Sequence, residues 1–146
     1  VLRIIRELIE FQPKSHKTDI AQALKFLSGT QKKKAIVFVI SDFMAEDYEH
    51  TLKIAAKKHD ITGIRVYDIR EEKIPDLGMV SMLDAETGQI QLVNTGSKSV
   101  RMNYEKQYHN KVNYFKETFS KSGSGVVNTR VDESYVTKLL SYFKSR

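Results

Sequence analysis

The spacing of apolar residues along the chain predicts an α/β fold. Apolar positions three and four residues apart, the period of a helix with one buried face, predict helices at 1–11, 20–28, 45–58, 99–120 and 133–143. Short apolar runs rich in β-branched residues predict strands at 35–40, 61–67, 80–83, 90–93 and 126–131. Because strands and helices alternate, we predict a single three-layer domain, residues 1–146, with a mostly parallel sheet, helices on both faces and a β-hairpin insertion.

The start of the chain departs from this plan. The run AIVFVI at 35–40 contains no polar residue, as expected of a strand buried on both faces of a parallel sheet. The helix before it begins without a capping residue, and Pro13 ends it. Three-layer sheets of this kind normally start on a central strand. We therefore expect a strand and its loop upstream of Val1 in the parent protein, so that this chain lacks the first strand of the fold.

Composition excludes several classes of protein. With 40% hydrophobic and 29% charged residues, the 146-residue chain can bury the core of one ordinary domain. No window approaches the roughly 18 consecutive apolar residues of a membrane-spanning helix. The absence of cysteine excludes disulfides and thiolate metal sites, and it fits a reducing compartment. We expect this segment to be cytoplasmic.

The net charge of +6 is distributed unevenly. Both ends of the chain are rich in lysine and arginine, whereas residues 43–96 carry more acids than bases. A basic face is typical of a nucleic-acid-binding domain, but charge runs more commonly form the solvated faces of helices. Binding to DNA or RNA that weakens steeply with salt would indicate the first alternative.

The best candidates for a functional site follow the first predicted strand. Ser41 and Asp42 end the apolar run, and ligands of open α/β sheets bind beyond the carboxyl ends of strands. Thr18 opens a helix just before the same strand, so its hydroxyl can approach the same place. An oxygen-only set of Thr, Ser and Asp suits a hard cation such as Mg²⁺. The alternative is structural: Asp42 as a turn or cap residue, and Thr18 as a helix cap.

Other polar residues are weaker candidates. The histidines lack a metal-ligand spacing and are expected on the surface; they are His16, His50, His59 and His109. Asp42 with Glu46 and Asp47 would supply the paired carboxylates of a metal-dependent hydrolase, although acids in the first turn of a helix are already explained by the helix dipole. Asp68, after the next strand, is a further candidate at the same edge. The chain contains no GxSxG, HExxH or P-loop motif.

The order and spacing of several segments resemble a known family. The segments are TDIAQALKFL at 18–27, IVFVISDF at 36–43, the hairpin loop DAETG at 84–88, and the closing strand and helix at 130–143. Together they resemble the Rossmann-like von Willebrand factor type A fold and, more closely, the bacterial family catalogued as domain of unknown function 58. The resemblance covers nearly the whole chain, and its specificity comes from the order of the motifs rather than from any one of them.

The resemblance implies a metal-ion-dependent adhesion site in the intact parent. In that pattern a DxSxS motif after the first strand, a later Thr and a later Asp hold one Mg²⁺ or Mn²⁺. Thr18 matches the second element, Asp42 the third, and Ser41 stands where the family often has Ser or Thr. DxSxS does not occur here, so we expect this chain to bind metal weakly or not at all. The implied role is non-enzymatic protein interaction, with MoxR-type AAA+ ATPases as partners; some relatives carry membrane segments upstream.

Overall fold

A computed structural model describes residues 1–12, 17–84 and 88–145 of the chain. The predicted helix end at Pro13, His16 and the middle of the hairpin loop lie outside these residues. Five helices are present in the described part: α1 Leu2–Glu10, α2 Ile20–Thr30, α3 Glu49–Lys58, α4 Lys98–Lys121 and α5 Tyr135–Lys144. The strands of the described part are β1 Ile36–Ser41, β2 Asp60–Tyr67, β3 Met79–Leu83, β4 Ile90–Asn94 and β5 Gly125–Arg130.

The strands form a parallel sheet and a separate hairpin. The sheet has the order β1-β2-β5, and both pairs are parallel, with Ser41 opposite Arg65 and Thr62 opposite Gly125. The hairpin pairs β3 with β4 in antiparallel register, Val80 opposite Val93. The predicted α/β architecture, a mostly parallel sheet with a hairpin insertion, is therefore confirmed for the described residues.

Helices cover both faces of the sheet, as two neighbouring residues of β2 show. Successive side chains of a strand point to opposite faces. Thr62 lies within hydrogen-bond distance of Tyr142 in α5, 3.0 Å between the hydroxyl oxygens. The next residue, Gly63, lies against the rings of Phe115 and Phe119 in α4. The sheet is thus the middle layer between α5 and α4.

The main core lies between α4 and the sheet. It combines an aliphatic set from α2, α3 and β2 with an aromatic set from α4 and the segment before α3. Its buried members are Ile20, Leu24, Phe43, Tyr48, Leu52, Ala55, Ile61, Phe115 and Phe119. Phe115 and Phe119 of the long helix therefore belong to the core, rather than to an exposed surface that could stack on nucleic-acid bases.

Three predicted helix ends are wrong, each for a local reason. The third helix begins at Glu49 instead of residue 45, since Asp47, inside the predicted helix, adopts a positive φ of 63° that a helix does not accommodate. The second helix continues through Gly29 to Thr30. The last helix begins at Tyr135 instead of residue 133 and is capped by Ser134, while the Asp132 carboxylate accepts two 2.8 Å hydrogen bonds from the Arg130 guanidinium.

The burial predicted for the first strand is only half correct. Val37 and Val39 pack against the core, whereas Ile36 and Ile40 on the other face are each 67% exposed. None of the residues of α1 is buried either. Within the described ranges, no helix is both long and apolar enough to cross a membrane.

Gly63 provides a test of the packing between sheet and helix. A β-carbon at this position would lie 2.6 Å from Phe119 Cε1 and 2.7 Å from Phe115 Cε2. We expect Gly63→Ala to lower the free energy of unfolding by roughly 1–3 kcal/mol, the usual cost of overpacking a core. Urea denaturation measures this change.

Gly29→Ala is the matched control. A β-carbon there meets nothing within 4 Å, and Gly29 lies inside α2. The control should therefore be neutral or more stable by up to about 1 kcal/mol, because alanine is the better helix former. Equal stabilities of the two variants would contradict the tight contact described at Gly63.

Candidate functional site

Ser41 and Asp42 lie together at the carboxyl end of β1, as predicted. The Ser41 hydroxyl donates a 3.2 Å hydrogen bond to Asp42 Oδ1 and accepts one of 3.1 Å from the Phe43 N–H. Asp42 Oδ1 also accepts a 3.2 Å bond from the Met44 N–H, which closes a tight turn. Asp42 is exposed, and no described residue donates a hydrogen bond to its Oδ2. The structural use of Asp42 thus leaves one carboxylate oxygen facing solvent.

Phe43 anchors this turn in the core. Its φ of 56° is unusual for a bulky residue and costs on the order of 1–3 kcal/mol. The side chain is fully buried, stacked on Phe115 at 4.0 Å between ring centroids and edge-on to Phe119 at 5.2 Å. The aromatic contacts offset the backbone strain, so the position of Asp42 is set by the residue that follows it.

Arg65 holds the same turn from β2. It is only 3% exposed, and its Nε donates a 3.2 Å hydrogen bond to the backbone carbonyl of Asp42. Its Nη2 donates to the Tyr108 hydroxyl at 2.6 Å, and the guanidinium lies 4.2 Å from the ring centroid of Tyr67. Hydrogen bonds and a cation–π contact thus compensate the burial of this charge. No carboxylate among the described residues forms an ion pair with it.

Thr18 lies on a different segment from Ser41 and Asp42. It is exposed and precedes Asp19, whose Oδ1 accepts a 2.7 Å hydrogen bond from the Gln22 N–H. The N-cap of α2 is therefore Asp19 rather than Thr18. Ile20, two residues later, belongs to the same core cluster as Phe43. The participation of Thr18 in a site with Asp42 stays a prediction.

The remaining acidic candidates have structural partners or lie apart. Asp68 caps the 3₁₀ turn Ile69–Glu71, accepting a 2.9 Å hydrogen bond from the Arg70 N–H. Glu46 and Asp47 are exposed in the loop before α3, so the helix dipole does not explain them as predicted. The acid in the first turn is instead Glu49, whose pKa is lowered by a 2.7 Å hydrogen bond from Lys53.

The histidines differ in environment. His50 is exposed as predicted, but the surface position expected for His59 is wrong, because this residue is only 3% exposed. The imidazole of His109 is half-exposed, with Nε2 at 3.5 Å from Glu72 Oε1 and 3.9 Å from Glu105 Oε1. Among the described residues, these three form the only group of His, Asp or Glu side chains spaced to share a metal ion, and Asp42 does not belong to it.

Arg65 and the group of Glu72, Glu105 and His109 were therefore not predicted from the sequence. For Arg65 the available signal was a charged residue in the middle of the apolar strand at 61–67. For the second group it was the four-residue spacing of Glu105 and His109, which places both on one face of a helix. Glu72 had no such signal, since only the tertiary fold brings it to α4.

Comparison with known proteins identifies the family. The family model described as "Protein of unknown function DUF58" matches residues 1–114. The chain belongs to the DUF58 family. A curated relative, Uncharacterized protein MAV169 of Mycobacterium avium, is 26% identical over 129 residues, which are 88% of this chain and 76% of the relative. Uncharacterized protein Rv1480 of Mycobacterium tuberculosis is 30% identical over 79 residues, 53% of this chain but only 25% of its own length.

A solved structure supports the fold of this DUF58 chain. The crystal structure of conserved hypothetical protein BatB from Bacteroides thetaiotaomicron is similar over 99% of this chain and 67% of the BatB chain, with a TM-score of 0.50 and 17% identity. Similarity at this level concerns the α/β fold alone.

The hydrogen bonds of Arg65 predict that Arg65 and Tyr108 are energetically coupled in the folded DUF58 chain. Arg65→Lys removes the fork that reaches both the Asp42 carbonyl and the Tyr108 hydroxyl, and we expect it to lower the free energy of unfolding by roughly 1–3 kcal/mol. Tyr108→Phe should be less stable by about 1 kcal/mol, and the double variant should show a coupling of at least about 0.5 kcal/mol. Arg70→Lys, at an exposed position, is the control and should change stability little. Strictly additive losses would contradict the Arg65–Tyr108 contact.

The buried phenol of Tyr48 should make the stability of the fold depend on pH. Burial raises the pKa of its phenol, helped by the nearby Tyr114, and its hydroxyl is buried without a hydrogen-bond partner among the described residues. Above pH about 10, the ordinary phenol pKa, an unfolded chain loses this proton while the folded chain keeps it, so stability falls as pH rises. Tyr48→Phe should be at least as stable at pH 7 and should lose less stability between pH 10 and 11. Denaturation at several pH values tests this, with the exposed Tyr135→Phe as control; parallel profiles for wild type and Tyr48→Phe would refute it.

Proposed function

We propose that this DUF58 chain is the greater part of a von Willebrand factor A-like interaction module. In its intact form, a divalent cation held by Asp42, Ser41 and Thr18 binds a carboxylate of a partner protein. The observation that carries the proposal is the exposed Asp42 carboxylate at the carboxyl edge of the sheet, with Oδ1 fixed by Ser41 and Met44 and Oδ2 without a donor among the described residues.

The donor set fits a hard cation in kind. One carboxylate and two hydroxyls are oxygen ligands of the type that Mg²⁺ and Mn²⁺ accept. When bound, such an ion would act as an electrophile that attracts an anionic ligand, because hydroxyls do not neutralise its charge. In this arrangement Asp42 supplies the single negative charge, while Phe43 and Arg65 keep its turn in place. The DxSxS element of the resemblance would have to come from polypeptide outside this chain.

The partner and the role of the whole protein are part of the proposal. The chain spans about a quarter of its Mycobacterium tuberculosis relative and about three quarters of the Mycobacterium avium relative. We assign the partner class from the family resemblance: a MoxR-type AAA+ ATPase that presents an acidic side chain. A binding role agrees with the site, because Asp42 belongs to no group of three or more His, Asp or Glu side chains spaced to share a metal ion among the described residues. Nothing in this arrangement favours the alternative of a metal-dependent hydrolase.

Calorimetric titration with Mg²⁺ and Mn²⁺ tests the proposed site. The titration uses both this chain and a longer form that includes the upstream DxSxS segment. We expect saturable binding in the longer form and weak or no binding in this chain, since Thr18, Ser41 and Asp42 are too few ligands for tight binding. Asp42→Asn should abolish binding, because it removes the charged ligand while an amide oxygen can still accept from the Met44 N–H.

Asp68→Asn is the matched control. Asp68 follows the neighbouring strand and also accepts a backbone hydrogen bond, but it is not assigned to the site. The Asp68→Asn variant should leave metal binding unchanged. The longer form should also bind the MoxR-type ATPase in Mg²⁺ and lose that binding in EDTA. Metal binding that survives Asp42→Asn would refute the assignment of Asp42, and partner binding that ignores EDTA would refute the role of the cation.

A further inference from the structure

The geometry points to a second metal site, separate from Asp42, in which Glu72, Glu105 and His109 bind one Zn²⁺ ion. One ligand atom from each residue lies within 4.8 Å of the others. His109 Nε2 is 3.5 Å from Glu72 Oε1 and 3.9 Å from Glu105 Oε1. Ligands of a tetrahedral zinc ion, at bond lengths of about 2.0–2.2 Å, lie about 3.4 Å apart. The three atoms are therefore close to the required spacing, and small rotations of partly exposed side chains would complete it.

The same imidazole nitrogen faces both carboxylates. Nε2 makes both close approaches, which directs the three ligand atoms to a common centre. A histidine that only forms ion pairs can use either nitrogen, whereas a shared ion requires one nitrogen to face both acids. The other nitrogen is then left for an orienting hydrogen bond, the usual arrangement of histidine ligands.

Two elements hold the ligands at fixed positions. Glu105 and His109 are four residues apart on α4, so they project from the same face of one helix. Glu72 follows the 3₁₀ turn after β2, and its N–H donates to the Ile69 carbonyl at 3.3 Å. The neighbouring Glu71 carbonyl accepts a 2.9 Å hydrogen bond from the Tyr104 hydroxyl of α4. This bond ties the turn to the helix one residue from the ligand.

The donor set selects the class of metal. One imidazole and two carboxylates suit Zn²⁺ and similar transition metals better than Mg²⁺, which prefers oxygen ligands and keeps its waters. Three protein ligands leave the fourth position of zinc for water or an added ligand. Glu72 and His109 also line a cavity of about 240 Å³, together with Tyr67 and Lys116, which leaves space on that side. This donor chemistry is unlike that of the oxygen-only set at Asp42.

The competing explanation is a set of ion pairs. A protonated His109 could pair with both acids, and Lys73 Nζ also lies 3.3 Å from Glu105 Oε1. These side chains are 29–67% exposed, so each such pair contributes little to stability. Ion pairs alone would not bind zinc at one defined stoichiometry, and metal binding separates the two explanations.

Calorimetric titration of the 146-residue chain with Zn²⁺ is the deciding experiment. We expect one equivalent to bind, with no comparable binding of Mg²⁺ to these residues. His109→Ala and Glu105→Gln should each weaken zinc binding by at least about tenfold, since changes to groups that only hydrogen-bond to metal ligands already cost about 10- to 100-fold. Co²⁺ in place of Zn²⁺ provides a visible absorption band that reports the coordination, and circular dichroism confirms that each variant is folded.

Two control variants separate this site from others. His50→Ala removes an exposed histidine on α3, and Asp42→Asn removes the carboxylate of the proposed cation site; both should keep full zinc affinity. The proposal fails if the wild-type chain shows no saturable zinc binding, if His109→Ala binds zinc unchanged, or if His50→Ala loses binding equally. Because the probe is Zn²⁺ on this chain alone, failure here leaves the Mg²⁺-dependent role of Asp42 untouched, and the reverse also holds.

Discussion

The packing of α4 on the sheet at Gly63 is the contact on which the other features depend. Without a side chain at this position, the rings of Phe115 and Phe119 come down onto the β2 backbone. Phe43 then stacks on Phe115 at 4.0 Å. The same rings that join helix to sheet therefore hold a residue at positive φ, which a bulky side chain adopts only when its surroundings compensate the strain. The core contacts of Phe43 therefore stabilise the turn that presents Asp42.

One face of β2 links this core contact to the site. Gly63, Arg65 and Tyr67 alternate along the strand and point to the face covered by α4. Gly63 leaves room for two aromatic rings, and two residues further along the strand Arg65 donates hydrogen bonds to the Asp42 carbonyl and the Tyr108 hydroxyl. A buried guanidinium is costly unless its donors are used. The hydrogen bond of this guanidinium to the Asp42 carbonyl therefore positions the turn as well as satisfying a buried donor.

The sequence predicted the order and type of the elements because hydrophobic period and turn residues are local signals. It also predicted the pairing of Ser41 with Asp42, since both follow one strand. What it could not predict depends on tertiary contacts. The third helix starts late because Asp47 adopts a positive φ of 63°, a local conformation that helix propensity does not predict. Burial of His59 was not predicted either. A histidine at a helix end is expected on the surface, and only the packing of neighbouring elements buries it.

The two candidate metal sites are connected through a single stretch of α4. Tyr108 accepts the hydrogen bond of Arg65, which holds the Asp42 turn, while Tyr104 ties the turn that carries Glu72. Glu105 and His109 lie between and beside these tyrosines, on the same two turns of the helix. An ion at Glu72, Glu105 and His109 would therefore fix the exit of β2 against α4 without contacting Asp42. The sites differ in chemistry, oxygen-only against mixed nitrogen and oxygen, so each metal can be supplied separately. The Tyr108–Arg65 hydrogen bond and the shared helix form one structural connection between them.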